Sequence, residues 1–159
     1  MDCLLQVLLN LATGGGSNPE HGEATHTHMV FCGLPGWLIP HASRDPPAKT
    51  RLQRLGWSAS DNLGIAIEIS RALLLRLAGS LPGLKGILGA GGTAVLVREL
   101  EAPLPPVPTG YAADFAAAGV LSREELQEAR YVAASSAVKH HHEMSSFEEL
   151  QASYGCVSI

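Results

Sequence analysis

The sequence predicts a mainly α-helical protein, a small helical domain with room for one short β-hairpin near residues 28–40. Three observations carry this. Apolar residues recur at helical spacing through "SASDNLGIAIEISRALLLRLAGS". A capping-box signature, Ser122 with Glu125, opens a long alanine-rich stretch. The N-terminal run from Cys3 to Ala12 is apolar without interruption by charge. The length, 159 residues, fits one domain and suffices to bury a core without disulfide staples.

Taken in order, residues 1–25 read as a short amphipathic helix over Cys3–Ala12 followed by a polar, flexible connector, "GGGSNPEHGEATH". A secretory signal would carry positive charge ahead of its apolar run, whereas the early charge here is Asp2. The core is expected over 26–102. In it, Val30–Cys32 and Trp37–Ile39 read as two extended pieces around a turn at "GLPG". A charged loop holding Asp45, Pro46 and Pro47 follows.

The central helix is expected over 61–78, with Ser58 or Ser60 as its N-cap and Gly79 as its stop. Leu63, Ala66, Ile67, Leu73, Leu74 and Leu77 form its main stripe. Ile65, Ile69, Ala72 and Leu75 make much of the remaining circumference apolar, so this helix belongs in the middle of the core. The segment "LPGLKGILGAGGTAVLVRELEAP" reads either as turn, short strand and helix, or as a loosely packed helix ending before Pro103.

A proline-rich linker is expected over 103–110 and a helical tail over 111–159. The tail divides into a short helix ending at Gly119, a long one opened by Ser122 and Glu125, and a third opened by Ser146 and Glu149 that stops at Gly155. Leu126, Ala129, Ala133 and Ala137 form the stripe of the long one, and its small residues favour close helix packing.

Composition excludes some functions. Charged residues are 16% of the chain, against roughly 25% in typical domains. The net charge is -4, the eleven Lys and Arg are scattered and aromatics are 5%, which argues against nucleic-acid binding. Cys3, Cys32 and Cys156 are too few and too far apart for a disulfide framework and suit a reducing, intracellular compartment. Asp61, Glu68, Arg71, Arg76 and Lys85 interrupt the apolar run 61–98, so a spanning helix is not expected there; peripheral contact or insertion of that segment as a hairpin stays open.

Four side chains form a candidate metal site: His26, His28, Cys32 and His41. On a strand, His26 and His28 face the same side, and four N/S ligands suit tetrahedral zinc. The H-x-H pair resembles the metal-binding start of amidohydrolase-type barrels. That fold needs around 250 residues and ligands from later strands, more than this chain supplies. His140, His141 and His142 are consecutive. Helical neighbours point about 100° apart, so the three do not converge on one ion. They read as dipole-stabilising residues at a helix C-terminus, with His141 continuing the packed stripe.

"GILGAGGTAVLV" resembles the glycine-rich turn of dinucleotide-binding folds, which implies Gly89, Gly91 and Gly92 as a pyrophosphate cradle. The second strand with its acidic residue is missing; "PLPPVPTG" stands where it should lie. No catalytic residue is assigned: there is no G-x-S-x-G elbow, and Glu124–Glu125 and Glu148–Glu149 fall in helix first turns, where acids are expected anyway.

The favoured expectation is a small, non-catalytic helical subunit or adaptor that docks onto a larger assembly or onto its own copies. The alternatives are a small metal-dependent enzyme or metal carrier at the His26 cluster, with zinc as the metal, and a nucleotide binder at the 86–92 turn.

Overall fold

The computed structural model describes residues 2–13, 19–45, 59–104 and 121–155, and its elements there are helices. They are α1 (Asp2–Thr13), α2 (Pro19–Phe31), α3 (Leu34–Ala42), α4 (Ala59–Ala78), α5 (Leu81–Gly89), α6 (Thr93–Glu101) and α7 (Arg123–Gly155). The short helix expected to end at Gly119 and most of the proline-rich linker lie outside the described residues.

α4 is the axis of the bundle. Ala66, Ile67, Ile69, Ala72, Leu73, Leu74, Leu75, Leu77 and Ala78 are all buried, and Ser70 among them satisfies its hydroxyl by donating to the Ala66 carbonyl at 2.7 Å. A helix this apolar around its circumference has to be covered on several sides. α1, α3 and α7 all pack against it, and α2 packs on α5 beside it. α1 contributes Leu5, Leu9 and Ala12, at spacings of four and three. α7 contributes Ala129 and Ala133, whose small side chains let the two axes approach closely.

The hairpin expected near 28–40 is not formed: no strand occurs among the described residues, and the segment is the end of α2 and the whole of α3. Burial along the segment follows a helical period. Met29 is buried three residues after His26, and Pro35, Leu38 and Ala42 are buried at spacings of three and four. Pro35 sits in the first turn of α3, where a missing N–H costs nothing. The chain turns at Cys32–Gly33, with Gly33 left-handed at φ 77°, rather than at the "GLPG" β-turn. Helix also begins at Pro19, so the second part of the expected connector is the start of α2.

The ambiguous glycine-rich segment becomes α5 and α6, separated by a turn in which Gly91 has φ 78°. The capping box is present as read. Ser122 N–H donates to Glu125 Oε2 at 2.8 Å, and Glu125 N–H donates to Ser122 Oγ at 3.1 Å. Hydrogen bonds from the Ser122 backbone N–H and, secondly, its side chain hold the Glu125 carboxyl below its ordinary value. The second box, at Ser146, is not a helix start. α7 continues through it, and Ser146 Oγ donates backward to the His142 carbonyl at 3.0 Å.

Arginines close the helix ends. Arg71 from α4 donates to the carbonyls of Ala42 at 3.1 Å and Arg44 at 2.7 Å, and Arg98 from α6 donates to Ala42 and Ser43. Glu99, 8% exposed, balances both, with Oε1 at 3.3 Å from Arg71 Nε and 3.6 Å from Arg98 Nε. Arg130 from α7 donates to the Ala102 carbonyl at 2.6 Å, just past α6. Free carbonyls at helix C-termini are the groups a guanidinium satisfies best.

Two glycine substitutions separate packing from propensity. At Gly83, an added Cβ would run into the Leu77 carbonyl, whereas at Gly64, inside α4, it would meet open space. Gly83→Ala is expected to lower stability by about 1–3 kcal/mol through overpacking. Gly64→Ala is expected to raise it by up to about 1 kcal/mol through helix propensity. Urea unfolding of the two variants checks both signs.

Candidate functional site

His26 is one of the buried polar side chains, with Ser70 and Glu99. It projects from α2 and is 7% exposed. Its Nε2 lies 3.2 Å from the Ala12 carbonyl of α1, and its Nδ1 lies 2.9 Å from Ser80 Oγ, at the start of α5. A carbonyl only accepts, so Nε2 carries a hydrogen. The Ser80 hydroxyl beside Nδ1 also donates to the Leu77 carbonyl at 3.2 Å. Burial pushes the imidazole below its ordinary value, opposed in part by the Ala12 hydrogen bond and the nearby Glu23 charge. Burial thus favours the uncharged ring.

Ser80 is held from the other side as well. It is the N-cap of α5, with extended backbone at φ -112° and ψ 150°, and its Oγ accepts from Gly83 N–H at 3.2 Å. His26 and Ser80 thus join three helices: the end of α1, the middle of α2 and the start of α5. Both open onto a cleft of about 390 Å³ whose wall also includes Glu23, Arg76, Val132 and Lys139. α7 closes this side, where Ser136 Oγ donates to the Gly79 carbonyl at 2.8 Å.

The four candidate metal ligands are not gathered. In a helix, residues two apart point about 200° from each other. His26 accordingly turns into the core and His28 out to solvent, the reverse of the same-side placement a strand would give. Cys32 is exposed beyond the end of α2. His41 sits on α3 against Trp37, with ring centroids 4.8 Å apart. Among the described residues, no group of three or more His, Cys, Asp or Glu side chains is placed to hold a metal ion.

Gly89, Gly91 and Gly92 occupy the α5–α6 turn, which a helix enters and not a strand. Gly92 is buried against Ile87 and Ile39, while Gly89 and Gly91 are exposed. The histidine triplet lies inside α7 and not at its C-terminus, so a helix-end dipole does not account for it. His140 is the half-buried member, while His141 and His142 are exposed.

The His26–Ser80 pair spans 54 residues and leaves no local trace at His26. One signal lay at Ser80: serine followed two residues later by proline, after a Gly stop, is a helix start.

No family model matches the chain, and neither does any curated protein or solved structure. Among the described residues, no helix is long and apolar enough to cross a membrane.

The linkage of His26 to folding has a definite sign. Its folded value lies below the 6.5 of the free side chain. As pH falls, the unfolded chain takes up this proton first, so stability is complete above about 6.5 and declines as pH drops through and below it. The difference in unfolding free energy between the native protein and His26→Gln is expected to shrink as pH is lowered from about 7 to about 5. Urea titrations at several pH values read this directly; a constant difference overturns it.

Proposed function

We propose that the chain is a helical docking subunit that attaches to a partner protein through the outer face of α1. The observation that carries this is an apolar stripe. Leu4, Val7 and Leu11 are 60%, 53% and 54% exposed and recur at spacings of three and four, opposite the buried Leu5, Leu9 and Ala12. From residue 3 to 13 the helix carries no charged residue, and its polar edge is the pair Gln6 and Asn10, bonded to each other at 3.3 Å. Scattered exposed apolar residues are ordinary, whereas a continuous stripe is a mark of interaction sites.

The low charge content supports the same reading, as does α7. On its far side, Tyr131 and Val138 stand 74% and 72% exposed, two turns apart on one face. The partner side of such a contact is an apolar groove or helix face that takes leucine and valine at helical spacing.

Analytical ultracentrifugation and pull-down of the full-length protein from its source test the reading. The wild type is expected to recover a stoichiometric partner. Leu4→Glu combined with Leu11→Glu is expected to lose it while keeping the helical circular dichroism of the wild type. A wild-type chain that sediments as a monomer, binds no apolar dye and captures nothing in stoichiometric amount overturns the proposal. Assembly into homo-oligomers that the double variant abolishes would replace the foreign partner with a second copy.

A further inference from the structure

We infer that Ser80 is a nucleophile, activated by His26, that takes the acyl group from a small carboxylic ester entering the cleft between α2, α5 and α7. The geometry is that of a serine–histidine pair with a backbone carbonyl as the third member. Ser80 Oγ lies 2.9 Å from His26 Nδ1, within reach for proton transfer, and its hydrogen is shared with the Leu77 carbonyl at 3.2 Å; the ring is held in place by Nε2–H donating to the Ala12 carbonyl at 3.2 Å. Ala12 therefore positions the base, as a carboxylate does in the familiar triad.

Two further features favour the alkoxide. Gly83 N–H donates to Ser80 Oγ at 3.2 Å, so negative charge on that oxygen has a donor already aimed at it. The oxygen also caps the positive end of the α5 dipole. Burial favours the uncharged imidazole, the form that can accept the proton. Unlike a serine–histidine pair sealed in a core, this one lines a cleft of about 390 Å³, a volume typical of small-molecule pockets. Leu81 follows the nucleophile and lines the same cleft, and its N–H has no acceptor among the described residues. The N–H of the residue after the nucleophile is where acyl-transfer sites commonly place an oxyanion donor.

In the step, the Oγ lone pair forms a bond to the ester carbonyl carbon as the hydroxyl proton passes to His26 Nδ1. The resulting oxyanion collapses, the ester C–O bond breaks and the leaving alkoxide takes the proton back from His26. Water, activated by the same nitrogen, then releases the carboxylic acid and restores Ser80. No redox partner is required. The site is independent of the docking stripe: Ala12 is on the buried face of α1, and the test needs no partner.

The experiment uses the full chain and p-nitrophenyl acetate as the probe. The expected result is release of p-nitrophenol with an acetyl group on Ser80, located by peptide mass spectrometry, in the folded protein and not in urea. Ser80→Ala is expected to remove both signals. His26→Gln, if its circular dichroism matches the wild type, is expected to slow acetylation by about a hundredfold or more. Acetylation confined to lysines and the amino terminus, or modification of Ser80 at equal rates in folded and unfolded protein, overturns the inference. The comparison with urea needs no variant, so it stands even if His26→Gln does not fold.

Discussion

The fold depends on one constraint: α4 has almost no face that tolerates water. Residues from Ala72 to Leu75 are buried consecutively, which no single neighbouring helix can achieve. α1, α3 and α7 each supply a wall, and the character of each wall follows from the space it fills. α1 brings leucines, α3 a short proline-started turn, and α7 alanines that permit near contact. Burying such side chains is worth roughly 1.5–3 kcal/mol each, and this drives α4 to collect its neighbours from distant parts of the sequence.

Polar groups then decide how those walls are joined. The C-terminal carbonyls of α3 are taken up by Arg71 and Arg98, with Glu99 between the two guanidinium groups. α6 is tied to α7 by Arg130 in the same way. At the opposite kind of helix end, Ser80 caps α5 and binds the buried His26, whose other nitrogen reaches α1. Arg71, Arg98, Arg130, His26 and Ser80 each answer a backbone group at a helix end. The few charged residues thus serve the interior as well as the surface.

Legibility followed the range of the interaction. α1, α4 and the start of α7 were readable because periodicity and capping are local: Cys3–Ala12, the Leu73–Leu77 stripe, and Ser122 with Glu125 each lie within a few turns. α2 and α3 were not. Their prolines and glycines are common to turns and helix starts, and their stripe is short, so extended and helical readings competed evenly until packing chose. The candidate metal set depended on that choice. His26 and His28 share a side on a strand and take opposite sides on a helix.

The sequence by itself determined that this is a helical protein built around a central helix apolar over most of its circumference, because 3.6-residue periodicity, caps and low charge are written along the chain. Only the tertiary structure decided which polar groups meet. His26 and Ser80 are separated by 54 residues and come together because α2 packs on α5 and α1 ends beside them. A contact of that kind has no sequence period, since it is fixed by the crossing of helices whose apolar faces were recruited by α4.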